Sequence, residues 1–169
     1  MGDRGADEGA VDGVLAASRA LVAIATRSLG ATAEETTIAQ YRALVVLASR
    51  GPQRMTELAG ALGVAQSTAG RMCDRLVRKG LVRRFRARAD RRSVQVSITP
   101  AGRRVVDEAT ARRRALIAEA LARLPSATQQ VVAGALLSFA AAAGEVPDSQ
   151  WPAQTAEPGR AGPVQGVRS

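Results

Sequence analysis

Histidine is absent from the chain, and cysteine occurs once, at Cys73. The missing histidine removes the commonest metal ligand and the commonest general base. A single cysteine cannot close an internal disulfide, which fits a reducing compartment. The sequence holds no phosphate-binding loop and no metal-ligand cluster, so no enzyme, cofactor or metal is expected. Aromatic residues number four, Tyr41, Phe85, Phe139 and Trp151. The core must therefore be aliphatic, and Ala and Leu suit packed helices better than sheets. No apolar run approaches the ~20 residues that span a bilayer. The acidic start, with Asp3, Asp7 and Glu8, is unlike a secretory leader. Met1-Gly2 lacks the Ser or Thr that a myristoylation signal wants at residue 6, which is Ala6. A cytoplasmic protein with no membrane partner is expected.

What the chain does have is positive charge. Its formal net charge is +9 over 169 residues, and every basic residue but Lys79 is arginine. Such a balance favours a polyanionic partner. The length suits one domain with its own core.

Local patterns give the element order. Residues 1–9 read as a flexible arm. From 10 to 29, Val11, Val14, Leu15, Leu21, Val22, Ala25 and Leu29 follow mostly three- and four-residue spacing, which predicts an amphipathic helix. After a loop at Gly30–Thr36, a second helix is predicted over Thr37–Ser49. Its run Ala43-Leu44-Val45-Val46-Leu47-Ala48 implies burial on several sides. Gly51-Pro52 stops it. Thr56 is expected to cap a short helix, Glu57–Leu62, that Gly63 ends. A further helix follows from Gln66 to Lys79, stopped by Gly80. Leu81–Arg86 and Ser93–Ile98 read as two strands around the charged turn Ala87–Arg92. In the second strand Val94, Val96 and Ile98 are expected on the inner face, and Ser93, Gln95 and Ser97 on the outer. Thr99-Pro100 opens a long helix to about Leu124, with Thr as N-cap and Pro at the first helical position. Pro125 ends it, and Ser126-Ala127-Thr128-Gln129 fits a capping box for a last helix to about Ala143. Residues 145–169, with four of the seven prolines and few aliphatics, read as a disordered tail.

The fold class is thus mainly α with a small β-hairpin. A short helix, a tight turn and a basic helix make a helix-turn-helix, and the charged hairpin after it makes a wing. Between Arg71 and Arg92 lie ten basic residues opposed only by Asp74 and Asp90, so +8 of the net +9 sits in 22 residues. A membrane-binding helix needs a wide apolar face opposite its basic one. Here the charge runs over helix, strand and turn, which suits a phosphate track better than a solvated arginine-rich surface.

Three blocks, TIAQYRALVVLASRGP, MTELAGALGVAQSTAGRMCDRLVRKGLVRR and ADRRSVQVSITPAGRR, resemble consecutive blocks of the MarR (multiple-antibiotic-resistance regulator) family in order and spacing. The resemblance covers about residues 10–143, within a domain of 10–144. The Asp-Arg-Arg wing joined to Thr-Pro-Ala-Gly is its most diagnostic part. It implies a winged helix at about 37–98 and dimerisation helices at about 10–29 and 100–143. It also implies a homodimer on double-stranded DNA bearing a pseudo-palindromic operator, a repressor released by a small-molecule effector. Gln66, Ser67, Thr68 and Arg71 fall where the family's recognition helix enters the groove, and Arg75 lies one turn on. An Arg at this place can fork to guanine O6 and N7. Arg88 and Arg91 flank the wing tip, where a guanidinium can enter the minor groove. Asp90 and Arg92 occupy the family's Asp-x-Arg pair, Asp90 as a buttress for the wing arginines.

The chain departs from the family at two places. Ala65 cannot cap the recognition helix with its side chain. Gly70 stands where a hydroxyl is frequent, and in a helix interior it costs about 1 kcal/mol relative to Ala. Cys73 shares the apolar face with Ala69, Met72 and Leu76, and is read as core in preference to a redox sensor. Trp151 is read as an exposed tail residue in preference to a docking anchor. The resemblance makes Tyr41 and Arg42 candidate effector-lining residues, against the plainer reading of a core tyrosine and a surface charge. Two rival functions remain: a ligand-blind architectural DNA binder, and a winged-helix module that meets an acidic protein.

Overall fold

Helix α2 (Ile38–Arg50) is the centre of the fold. Thr37 and Gln40 cap it reciprocally: Thr37 Oγ1 accepts from the Gln40 amide at 3.2 Å, and Gln40 Oε1 from the Thr37 amide at 3.3 Å. Tyr41, Ala43, Leu44, Val46, Leu47 and Ala48 are all buried, as the nearly continuous apolar run implies. The computed structural model describes residues 7–30, 36–86 and 94–152, and is mostly helical with one small sheet.

Helix α1 (Glu8–Leu29) begins two residues before the expected start, because Asp7 accepts the Ala10 amide at 2.8 Å and caps it. Its C-terminal end, Ser28 and Leu29, is buried, while Val11, Val14, Leu15, Leu21 and Val22 are exposed. Strand β1 (Gln53–Arg54) was not legible in the sequence, since two residues show no alternation. It also corrects the start of α3 (Met55–Leu62). Pairing with β3 (Val94–Ile98) holds Arg54 extended, so the helix starts at Met55 and Thr56 lies inside its first turn. Glu57 reaches back and accepts the Arg54 amide at 2.7 Å.

Helix α4 (Gln66–Arg78) follows the turn at Gly63 and stops one residue before the expected Lys79, which is its C-cap; the next residue, Gly80, has a φ of +69° that lets the Leu81 amide return to the Leu76 carbonyl at 3.0 Å. Strand β2 (Val82–Arg86) then pairs antiparallel with β3, Val82 opposite Ile98 and Arg86 opposite Val94, in a sheet ordered β1-β3-β2. The expected alternation in β3 holds only at its centre. Val96 is fully buried, but Val94 is 47% exposed, and Ser97, expected outside, is buried. Val94 pairs with Arg86 at the far end of the ribbon, beyond the core. The Ser97 hydroxyl accepts from Arg83 Nε at 3.1 Å.

Helix α5 (Pro100–Leu121) has the expected cap, Thr99 Oγ1 accepting the Gly102 amide at 3.1 Å. It stops three residues short of Leu124, where the last turn tightens to i→i+3 bonds, the Arg123 amide to the Ala120 carbonyl at 3.3 Å and the Leu124 amide to the Leu121 carbonyl at 2.9 Å, ahead of Pro125. The predicted cap of α6 (Ser126–Ala142) is corrected as well: Pro125 holds the N-cap place and Ser126 is already helical. Gln129 bonds back to the Leu124 carbonyl at 3.0 Å instead.

Residues placed in the tail by composition are partly built into the fold. Past Gly144 the chain turns, Glu145 forms an ion pair with Arg42, and a short 3₁₀ turn, Asp148–Gln150, leads to Trp151. Trp151 is half-buried against the core rather than exposed. Its Nε1 donates to the Val146 carbonyl at 3.0 Å, and Arg103 lies 5.4 Å from its ring centre. A lone aromatic in a polar stretch found an apolar surface that composition could not reveal.

Candidate nucleic-acid interface

The two faces of α4 have opposite duties. Ala69, Cys73 and Leu76, at three- to four-residue spacing, are fully buried on the face of α4 that packs against α3 and β2. That fixes the rotation of the helix, so Ser67, Arg71, Arg75 and Arg78 form one exposed row on the other side. Gln66 is exposed at the N-terminus of the helix, and Thr68 is half-buried at the edge of the row. No side chain caps the helix at Ala65, as the sequence implied, and the Ala65 carbonyl takes the Thr68 and Ala69 amides at 2.9 and 3.1 Å. The first turn therefore carries backbone donors beside two hydroxyls, an arrangement suited to anionic oxygens.

Not every arginine of the basic run is free to meet a ligand. Asp74 Oδ1 accepts from Arg84 Nη1 at 2.8 Å, tying α4 to β2. Arg83 is spent on Ser97 and lies 5.6 Å from the Phe85 ring centre. Lys79 Nζ donates to Gln40 Oε1 at 3.3 Å. Arg71, Arg75, Arg78 and Arg86 are exposed, with no ion pair among the described residues. Sequence reasoning missed the splinting role of Asp74, although it is the only acid within α4. The wing candidates Arg88, Asp90, Arg91 and Arg92 lie outside the described residues.

Gly102 sets the wing's base. A Cβ there would lie 2.2 Å from the Leu81 carbonyl oxygen and 2.9 Å from Ile98 Cγ1. The same carbonyl accepts the Thr99 amide at 3.0 Å, and Thr99 Oγ1 donates to the Gly80 carbonyl at 2.7 Å. The Thr-Pro-Ala-Gly block is thus a clasp: Thr grips the α4–β2 turn, Pro starts α5, and Gly lets the backbones touch.

Tyr41 and Arg42 part company in the structure. Tyr41 is buried, its hydroxyl 3.5 Å from Thr110 Oγ1, whereas Arg42 points to the surface and is engaged by Glu145. The cation beside Tyr41 is Arg113, 5.1 Å from the ring centre, which sequence reading missed because α5 is rich in arginines of equal standing. Arg113 Nη2 donates to Ser28 Oγ at 3.4 Å, and Arg112 Nε to the Ser28 carbonyl at 2.7 Å. Arg113 Nε is buried with no hydrogen-bond partner among the described residues, as is Thr36 Oγ1. Buried polar groups of this kind usually find a partner. Cys73 is buried as expected, and burial pushes its thiol pKa up, with Arg84 lowering it and Asp74 raising it by lesser amounts. Among the described residues no cluster of His, Cys, Asp and Glu is suited to a metal.

Comparison with known proteins places these features. The sequence model of the MarR family matches residues 36–94. The chain is similar to RV1404 from Mycobacterium tuberculosis, a solved structure, at 38% identity and a TM-score of 0.78, over 85% of this chain and 99% of that one. It is similar to BpsR of Bordetella bronchiseptica, whose DNA binding is regulated by 6-hydroxynicotinic acid, at 25% identity and a TM-score of 0.59, over 79% of this chain and 99% of that one. It also matches YpoP of Bacillus subtilis (strain 168), an HTH-type transcriptional regulator, at 36% identity over 67 residues, or 40% of this chain and 48% of that one. The chain spans about half the length of the curated relatives it matches.

Proposed function

The chain belongs to the MarR family, and on that premise we propose that it is a homodimeric transcriptional regulator that binds a pseudo-palindromic operator, represses, and is released by a small molecule. The observation that carries the reading is the exposed row Ser67, Arg71, Arg75 and Arg78 on a helix whose opposite face is locked into the core. A rigid basic helix of this kind fits the major groove with its N-terminal residues on base edges. Arg71 is assigned to base readout, Gln66, Ser67 and Thr68 to bases or phosphates, and Arg75 to the backbone. The wing residues Arg88 and Arg91 are assigned to the adjacent minor groove, with Asp90, paired with Arg92 in the family's Asp-x-Arg pattern, as their buttress.

Dimerisation is supported by apolar surface left uncovered on one chain. Val131, Leu137 and Phe139 on α6 are 71%, 67% and 52% exposed, and Val11, Val14, Leu15, Leu21 and Val22 on α1 are exposed as well. Helix α1 is long and apolar enough to cross a membrane by length and mean hydropathy, contrary to the expectation from apolar runs. Its Asp12, Arg19 and Arg27, and its packing along α5, support a dimer face in a cytoplasmic protein instead. For the effector, the α1–α2–α5 junction is favoured. Tyr41 and the buried Arg113 Nε offer an aromatic face and an unspent donor, suited to a small aromatic anion like the one that regulates BpsR. Arg42, being engaged by Glu145, is left at its margin.

Selection from a randomised duplex pool tests the reading. It should return an inverted repeat with half-sites about one turn apart, roughly 34–36 Å. Recovery of duplex without a shared sequence rejects operator recognition in favour of an architectural binder. Failure to retain any duplex rejects the DNA reading.

A further inference from the structure

The turn after α6 brings two anchors six residues apart, Glu145 and Trp151, down on two different helices, α2 and α5. At one end Glu145 meets Arg42 of α2 through both carboxylate oxygens, Nη1 to Oε2 at 3.0 Å and Nη2 to Oε1. At the other, Trp151 packs on the core with Arg103 of α5 stacked over its ring at 5.4 Å. The Trp151 indole also bonds Val146, closing the segment on itself. An open cleft of about 380 Å³ lies between α5 and the Trp151 end of the segment, lined by Arg103, Asp107, Thr110, Arg114, Asp148 and Trp151. The segment is thus held at two points and not along its length.

Each anchor has a position that matters. Arg42 lies on α2, the central helix of the DNA-binding lobe, whose C-terminus leads into β1 and α3. Arg103 is the residue after Gly102, where α5 touches the α4–β2 turn. Helix α6, by contrast, has no buried residue of its own, and the described chain joins it to the lobe only through α5 and this segment. We infer that Glu145–Trp151 is an intramolecular strap that holds α6 and the winged lobe at one fixed angle, so that the recognition helices are presented ready for DNA. A two-point strap with a cleft beneath it opens as a local unit, without unfolding the core. When it is open the lobe samples other angles, and apparent DNA affinity falls in proportion to the fraction still competent.

This inference rests on the DNA-binding reading, and Trp151 allows the two to be judged apart. It is the only tryptophan of the chain, so its fluorescence reports strap docking without DNA. In the unaltered protein, acrylamide should quench it far less than in the urea-unfolded chain. Glu145→Ala should raise quenching at unchanged helical circular dichroism, and weaken binding of the selected duplex about three- to tenfold, the competent fraction falling by that factor. The pair Arg42→Glu with Glu145→Arg should restore both. Trp151→Ala should weaken DNA binding to a similar degree. Equal quenching in folded and unfolded protein overturns the strap. So does a freed strap that leaves DNA affinity within twofold. Should the unaltered protein bind no duplex, the DNA reading fails by itself. Hydrogen exchange then decides for the strap: faster exchange of the Gln150 and Trp151 amides, bonded to the Pro147 and Asp148 carbonyls, in Glu145→Ala at unchanged α2 exchange upholds it, and unchanged exchange of those amides overturns it.

Discussion

Replacing Gly102 by Ala sets two opposed effects of one methyl group against each other. In a helix, Gly→Ala normally stabilises by up to about 1 kcal/mol, less in a first turn. At Gly102 the new Cβ would lie 2.2 Å from the Leu81 oxygen, where ordinary contact begins at 3.4 Å, and 2.9 Å from Ile98 Cγ1. Relief needs a shift of roughly 1 Å. The Leu81 carbonyl cannot retreat freely, because it accepts the Thr99 amide. Overpacking of this kind costs about 1–3 kcal/mol, and loss of the clasp hydrogen bond about 1 more. The net expectation is a loss of about 2–3 kcal/mol. At roughly 2–4 °C per kcal/mol for a chain of this size, Tm should fall by about 5–10 °C. Gly70→Ala is the control. A Cβ at Gly70 meets nothing within 4 Å, so that variant should gain about 1 kcal/mol. Thermal unfolding of both, followed at 222 nm without DNA, gives the answer. A Tm for Gly102→Ala at or above the unaltered value would refute the close-approach argument, and a loss for Gly70→Ala would refute the open-face assignment of α4.

Three further outcomes are expected. Arg71→Ala should weaken the selected duplex by about 1–3 kcal/mol and relax preference at one base pair per half-site; equal losses on random duplex, measured by anisotropy, would make Arg71 a phosphate ligand. Replacing Arg88 and Arg91 together by Ala should flatten log affinity against log salt by about 0.9 for each phosphate no longer neutralised, and an unchanged slope removes the wing from the interface. Cys73 should react with a thiol reagent only at the rate of unfolding and leave DNA affinity unaltered under mild peroxide. Because burial raises its pKa in the fold, its contribution is present below the ordinary thiol range and lost as pH rises above it. Stability that is flat through alkaline pH in the unaltered protein and in Cys73→Ala alike contradicts that linkage.

The sequence showed most where a pattern repeats within one element. The apolar stripe Ala69, Cys73 and Leu76 predicted which face of α4 is buried, and burial of all three leaves Arg71 and Arg75 outside. The cap at Thr99 was read correctly from its neighbours, whereas Thr37, read as the first helical residue, is the N-cap of α2. Caps were misread at Thr56 and Ser126, where the backbone start is set by β1 pairing and by Pro125. The site was less legible than the fold. Charge counting marks ten basic residues between Arg71 and Arg92 but treats them alike. Only interactions across elements separate Arg83, Arg84 and Lys79, which bond Ser97, Asp74 and Gln40, from Arg71, Arg75 and Arg78, which make no ion pair among the described residues.

By itself, then, the sequence determined whatever depends on short range: helix periods, turn glycines, the charge stripe, the absence of chemistry that needs histidine. Tertiary structure decided the pairings of residues distant in the chain. Arg42 with Glu145, Tyr41 with Arg113 and Gly102 with Leu81 leave no local signature, because an arginine or a glycine reads the same whatever element later packs against it. Trp151 shows the physical reason most plainly. Its surroundings are too polar to order themselves, and its place is set by an apolar surface that exists only after α5 and the core have formed.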